Sequence, residues 1–391
     1  MPLRDVATGA ALGAGSSLLV GMALLQRYLR KELKRPELIH APMEERESED
    51  QHLLQEVRLL LREYWPHPVL EFSGYISTAW SALWAALPPR SAPGDLEFLT
   101  LRDGGTVSLH WGEPPARGED RVVLVLPGLN NSSHTSFVQE TMRHLRQAGF
   151  QAVALNYRGV GGRPITSPRF GCLDTWQDLP EVIEHIAAKR PTAALFGVGF
   201  SMGAAVLLRH LGQEGAAVRL KAAVAFAAPV DVELAAVALE SSLRKRCVNL
   251  AIVIGLKATM LASVLGSPFA DRIDRRAVFL ARSLRQMEEA TICKLNGYRD
   301  ADEYYARNSP KAVLDRISVP TLVVNAEDDP VITVKSLPIE EMRRNHSIYL
   351  AVTRRGGHIG WGSGGLGAAC WTDNMMVDFL QACTIRTRSR L

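Results

Sequence analysis

Apolar and polar positions change rhythm several times along this chain. Residues 6–25 run without a charge, a stretch long enough to cross a bilayer. A polar, acid-rich stretch follows at 36–52, carrying Glu44, Glu45, Glu47, Glu49 and Asp50. Positions 53–65 then place Leu53, Leu54, Val57, Leu60, Leu61 and Tyr64 at helical spacing, and Pro66 stops the helix. This helix is expected to pack on the main domain and not on lipid. After a proline- and glycine-rich break at 87–94 the pattern becomes strands alternating with helices. Runs at 96–101 and 106–111 read as a hairpin around Asp103-Gly104-Gly105. Apolar runs at 122–126, 151–157, 192–200 and 221–227 read as strands, with helices at 136–147, 176–188 and 202–211 between them. Residues 231–309 read as wholly helical, and 251–265 are apolar apart from Lys257 and a few small polar residues. Alternation resumes with a strand at 320–325, a helix near 337–343, a strand at 347–353 and a last helix near 368–383.

Strand–helix alternation predicts an α/β fold with a mostly parallel central sheet covered on both faces. A helical insertion after the sixth strand predicts a cap over the carboxyl edge of that sheet. The expected organisation is a membrane anchor with its basic flank at 1–35 and a linker with a helical segment at 36–95. The main domain is expected at 96–385, with the cap 231–309 inserted.

Charge and cysteine usage narrow the classes. The net charge is +4, and the basic residues form no long stripe, which argues against nucleic acid as a partner. Five cysteines, an odd number with no CxxC pair, make neither a disulfide framework nor a zinc site. Arg27, Arg30, Lys31, Lys34 and Arg35 follow the apolar stretch 6–25. A secretory signal carries its charge before the apolar region, so a retained anchor is preferred to a cleaved peptide or a buried helix. Arg4 against Asp5 assigns no orientation.

The chemistry concentrates in a few loops. Gly199-Phe200-Ser201-Met202-Gly203 is a G-x-S-x-G between a strand and a helix pattern. A serine on such a tight turn needs neighbours without bulk, and its hydroxyl then stands at the positive end of the following helix. Serine needs a base, and after the acid region two histidines remain. His346 precedes the last strand; His358 lies in a glycine-rich loop after it, which suits a side chain that must reach over the sheet edge. Glu327, Asp328 and Asp329 compete as the acid after the 320–325 strand. Asp329, before Pro330 in the turn, is preferred. The oxyanion of acyl transfer needs two backbone N–H donors. Met202 is the expected first, and the second comes from the 127–133 loop, Leu129 before Asn130. The stretch Asn156-Tyr157-Arg158-Gly159 lacks the features of a phosphate loop and reads as a loop beside the site. No H-E-x-x-H or metal-ligand cluster occurs, and the expected chemistry uses neither metal nor organic cofactor.

These motifs, in this order, resemble the α/β-hydrolase-domain lipases and esterases. That group includes the bacterial YheT proteins, the yeast medium-chain ester synthases and animal single-pass membrane hydrolases. The resemblance runs from about residue 64 to 380. It also rests on Gly74-Tyr75-Ile76-Ser77-Thr78, Pro127-Gly128-Leu129, Tyr304-Tyr305 with Ser309, and Gly356-Gly357-His358-Ile359-Gly360-Trp361. It implies an α/β-hydrolase fold and a triad of Ser201, Asp329 and His358. Two stretches depart from the family pattern: Gly74-Tyr75-Ile76-Ser77-Thr78 stands for Gly-His-Leu-Gln-Thr, and Met287-Glu288-Glu289 for a Phe-Asp pair. The expected function is a membrane-anchored serine ester hydrolase acting on acyl lipids in an internal membrane such as the endoplasmic reticulum. Acyl transfer to an alcohol and a non-catalytic binding role are the alternatives.

Overall fold

In the computed structural model the described residues are 21, 36–42, 48–61, 64, 66–67, 70–87, 94–116, 120–161, 164–362 and 370–389. The candidate span at 6–25 and its basic flank therefore lie outside the described residues, Gly21 excepted. Nine strands are described: β1 (Glu37–Ile39), β2 (Gly94–Thr100), β3 (Thr106–Gly112), β4 (Arg121–Leu126), β5 (Gln151–Asn156), β6 (Ala194–Phe200), β7 (Leu220–Phe226), β8 (Thr321–Ala326) and β9 (Ile348–Thr353). They form one sheet in the order β1-β9-β8-β7-β6-β4-β5-β3-β2. The inner strands β5-β4-β6-β7-β8-β9 pair in parallel. Antiparallel pairs close both edges.

Parallel strands need covering on both faces, and the side chains show how this is met. In β4, Val122, Leu124 and Leu126 point into one core, while Val123 and Val125 point into the other. The first core receives α5 (Met202–Glu214) through Ala204, Leu207, Leu208 and Leu211. The second receives α1 (Ser48–Leu60) through Leu53, Leu54 and Val57, and α13 (Trp371–Ser389) through Met375, Phe379 and Leu380. Helix α1 packs on the sheet, as its stripe predicts. Between these come α2 (Gly74–Ala86), α3 (Ser136–Gln147) and α4 (Leu179–Lys189), with α12 (Ile339–Arg344) before β9. The stretch after β7 holds α6 (Val232–Glu240), α7 (Leu243–Leu265), α8 (Arg275–Leu280), α9 (Leu284–Ala290), α10 (Ile292–Asn296) and α11 (Ala301–Asn308).

Two features differ from expectation. The stretch expected as linker supplies β1, pairing antiparallel with β9, and the start of α1. Three residues are too few for a period to show, and Leu38 and Ile39 gain their burial only from the edge of β9, far away in sequence. Helix α2 is also unforeseen, although Ile76, Trp80, Leu83 and Trp84 recur at helical spacing; a neighbouring face, with Ala79, Ala82 and Ala86, lines a cavity.

Chain order reverses at β4, with β5 on one side and β6 on the other. In open parallel sheets, ligands bind outside the carboxyl ends of the strands at such a switch point. There Leu126 of β4 stands opposite Gly199 of β6, two residues before the G-x-S-x-G serine.

Candidate active site

Ser201 joins β6 to α5 with φ 51° and ψ −117°. A non-glycine residue held there stores about 1–3 kcal/mol of strain, so its surroundings must enforce it. They do so by close packing. A Cβ on Gly203 would stand 2.2 Å from the Leu126 carbonyl oxygen, and one on Gly199 2.6 Å from the Ala204 Cα. The Ser201 N–H donates to Phe226 O at 2.8 Å, which ties the turn to β7.

His358 and Asp329 arrive from the neighbouring loops. His358 Nε2 lies 2.9 Å from Ser201 Oγ, and its Nδ1 lies 2.9 Å from Asp329 Oδ2. The Asp329 side chain is fully buried. Its other oxygen accepts the N–H groups of Val331 at 2.7 Å and Ile332 at 2.9 Å. A serine hydroxyl, an imidazole and a buried, oriented carboxylate thus stand in one hydrogen-bonded line. This line can move a proton from Oγ to Nε2 and steady the charge that results.

The other carboxylates of this loop are directed elsewhere. Asp328 accepts the Gly357 N–H at 2.9 Å and faces Arg355 at 3.4 Å. Burial raises the Asp328 pKa, opposed by the Gly357 hydrogen bond and the Arg355 charge. Glu327 is exposed. His346 precedes β9 at its amino end, across the sheet from Ser201.

The 127–133 loop passes directly behind the serine: a Cβ on Gly128 would stand 3.3 Å from the Ser201 Cβ. Tyr157 Oη donates to Pro127 O at 2.7 Å, and Asn156 Oδ1 accepts the Ser133 N–H at 2.6 Å. Arg158 is 3% exposed and donates through Nε and Nη2 to Asp178 at 2.8 Å and through Nη1 to Asp103 at 2.7 Å. The Asn156-Tyr157-Arg158-Gly159 stretch therefore braces the loop beside the site. Leu129 and Met202 both line the space above Ser201. Met202 opens α5, where an amide has no intrahelical acceptor and faces outward at the positive end. Asn130, with φ 65°, turns its amide to Ile252 O at 3.3 Å and so joins this loop to α7.

Sequence reasoning assigned no chemistry to the amino-terminal segment, yet that segment holds the histidine loop. Thr78 Oγ1 accepts the His358 N–H at 2.9 Å and donates to Gly74 O at 2.6 Å. A Cβ on Gly74 would stand 1.7 Å from Asp328 O, and one on Gly357 2.5 Å from Gly74 O. Glu71 Oε1 accepts the Gly362 N–H at 2.9 Å. The Gly74–Thr78 motif was the available signal, but it carried no hint of its partner. Replacing Thr78 with valine leaves the His358 amide without this acceptor, a loss of about 1–2 kcal/mol. We expect Thr78→Val to lower kcat about 10-fold and Thr78→Ser to retain it. Equal rates for the two variants would remove this role from the hydroxyl.

Ser201, Met202, Leu129 and His358 open on a cavity of about 970 Å³, at the top of the range for small-molecule sites. Small residues keep it wide: Ala79, Ala82 and Ala86 from α2 and Ala235 and Ala236 from α6. Its lining is mainly apolar.

The comparisons place this geometry in a family. The family model described as serine aminopeptidase, S33, matches residues 118–347. This chain is an α/β-hydrolase of the lipase and esterase family. It is similar to phospholipase ABHD3 of Mus musculus, 28% identical over 379 residues, 95% of this chain and 90% of that protein. It is 30% identical to phospholipase ABHD3 of Bos taurus over 293 residues, 73% of this chain and 71% of the relative. It is 26% identical to monoacylglycerol lipase ABHD2 of Homo sapiens over 364 residues, 87% of this chain and 84% of the relative.

This α/β-hydrolase carries one buried acid in its cavity wall that sequence reasoning noted only as a departure. Burial pushes Glu288 up to about 8, and the Tyr305 hydroxyl that donates to it, with Arg285 nearby, opposes the shift. In the unfolded chain the ordinary value is 4.5. The folded state thus holds the proton more tightly, and its advantage is present below about 4.5 and lost as pH rises through about 8. We expect the melting temperature to fall between those limits and the fall to be shallower in Glu288→Gln. A thermal series showing the same slope in both proteins would overturn this.

Proposed function

We propose that this α/β-hydrolase cleaves carboxylic esters of acyl lipids. The observation that carries the reading is the Ser201–His358–Asp329 line opening on a wide apolar cavity. The names of its relatives, phospholipase and monoacylglycerol lipase, support the same substrate class.

In this reading Ser201 Oγ attacks the ester carbonyl while His358 Nε2 takes its proton. The Met202 and Leu129 amides receive the developing oxyanion. His358 then gives the proton to the departing alcohol, leaving an acyl group on Ser201. Water attacks that acyl-enzyme with His358 again as base, and His358 returns the proton to Ser201 Oγ as the Oγ–acyl bond breaks and the fatty acid leaves. Asp329 keeps Nδ1 protonated and balances the imidazolium throughout. Residues 6–25 serve as a single-pass anchor that keeps the enzyme at the membrane holding its substrates. The segmentation into anchor, amino-terminal segment 36–95, main domain 96–385 and cap 231–309 belongs to this proposal.

The test is a product assay on monoacylglycerol and phospholipid in mixed micelles, with and without added alcohol. Free fatty acid as the main product in both conditions is the expected result. Fatty ester dominating with alcohol present would reassign the enzyme to acyl transfer. No turnover of either lipid by folded protein would overturn the substrate class.

A further inference from the structure

Helix α7 is 23 residues long and contains an 18-residue window of mean hydropathy 1.9, enough to span a bilayer by length and composition. The fold forbids that use. Val253, Leu256, Met260 and Val264 are buried against the body, and Asn249 Oδ1 accepts the Leu284 N–H at 2.7 Å. Only one face can meet lipid. On that face Leu243, Leu250, Ile254 and Leu265 are exposed, in line with exposed Cys247 and Ala258. These positions recur every three, four or seven residues, so they form one stripe along the helix.

The stripe extends sideways. Lys257 Nζ donates to Phe279 O at 2.8 Å and Ala281 O at 2.7 Å, which fixes the end of α8 against the middle of α7. Phe279 and Leu280 beside it are 80% and 58% exposed. Between residues 243 and 285 there are nine Lys or Arg and two Asp. Of these, Arg244, Arg246, Arg272, Arg275, Arg276 and Arg282 are exposed. Apolar patches of this kind on soluble surfaces mark interaction sites, and a basic border selects an anionic partner.

The cavity mouth lies at the same place. Cys247 and Ala251 of α7 and Ala82 and Ala86 of α2 are exposed and line the cavity. Leu83 and Leu87, 56% and 48% exposed, continue the apolar surface on the α2 side. We propose that the outer face of α7, with Phe279 and Leu280, beds into the headgroup region of an anionic bilayer, so that the cavity mouth opens onto lipid. The helix lies in the plane of the interface, apolar stripe inward and basic residues at the phosphates. The proposal rests on the acyl-lipid reading for what enters the mouth, but docking itself needs no catalysis.

The first experiment uses the full chain carrying Ser201→Ala, Cys247→Ser and Ile254→Cys, labelled with bimane. It is mixed with phosphatidylcholine vesicles, with or without phosphatidylserine, that contain spin-labelled lipid. A control carries the label at Glu184→Cys and retains the same other thiols. Docking predicts quenching at position 254, not at 184, stronger with phosphatidylserine and weaker at high salt. An unquenched label at 254 on vesicle-bound protein overturns the proposal. So does a label shielded without vesicles by association of two copies. The second experiment compares Leu250→Glu/Ile254→Glu/Phe279→Glu with wild type on a vesicle-embedded ester and a soluble short-chain ester. A loss of about 10-fold on the embedded ester alone is expected; equal loss on both overturns docking. Quenching at 254 in the labelled variant, together with folded wild type that hydrolyses neither ester, would sink the catalytic reading and leave docking in place.

Discussion

Replacing Ser201 with alanine is expected to lower kcat/KM for ester hydrolysis by about ten-thousand- to million-fold, with the fold intact. The size follows from the role proposed for Oγ, the one atom in the line that would form the acyl bond. Without it, in the proposed mechanism, His358 has no proton to take, and the amides of Met202 and Leu129 have no tetrahedral centre to hold. The residual rate is that of a bound ester attacked by water. Fold should survive because the strain at φ 51° belongs to the backbone turn, and alanine loses only a hydroxyl. A fluorophosphonate probe gives an independent reading: wild type should label and Ser201→Ala should not. Folded wild type that fails to label would remove Ser201 as nucleophile and favour a binding role for the fold.

How much of this was legible in the sequence depends on how far apart the interacting residues lie. The Gly199–Gly203 turn is a local steric device, so five residues were enough to state it. The strands β4 to β9 were legible because burial on both faces leaves unbroken apolar runs. His358 emerged because two histidines followed the acid region, and only one had a loop beyond the last strand. Thr78 was not legible, because its partner is 280 positions away and a backbone N–H leaves no mark in a sequence. Gly74 posed the same problem, since its need for a missing Cβ comes from Asp328. Strand β1 failed for a related reason: its three residues are stabilised by β9 alone. In the cap the helical character was readable, but which face of α7 is covered depends on packing with α8 and α9.

Asp329 and Asp328 are adjacent, and conversion of each to asparagine should separate them sharply. Asp329→Asn is expected to lower kcat by about a thousand- to ten-thousand-fold, by analogy with the known cost of the wrong imidazole tautomer. The reason is that asparagine has no good orientation at this site. With its amide nitrogen toward His358 it presents a donor to Nδ1, so the proton moves to Nε2 and the base is lost. With the nitrogen turned away, it meets the Val331 and Ile332 N–H groups, which are donors already. Asp328 is a different case. Its partners are the Gly357 N–H and the Arg355 guanidinium, and an asparagine oxygen can still accept from Gly357. Asp328→Asn should therefore cost about 10-fold or less, through a looser histidine loop. If Asp328→Asn proved the more damaging, the acid of this site would be Asp328, reached through a different loop conformation.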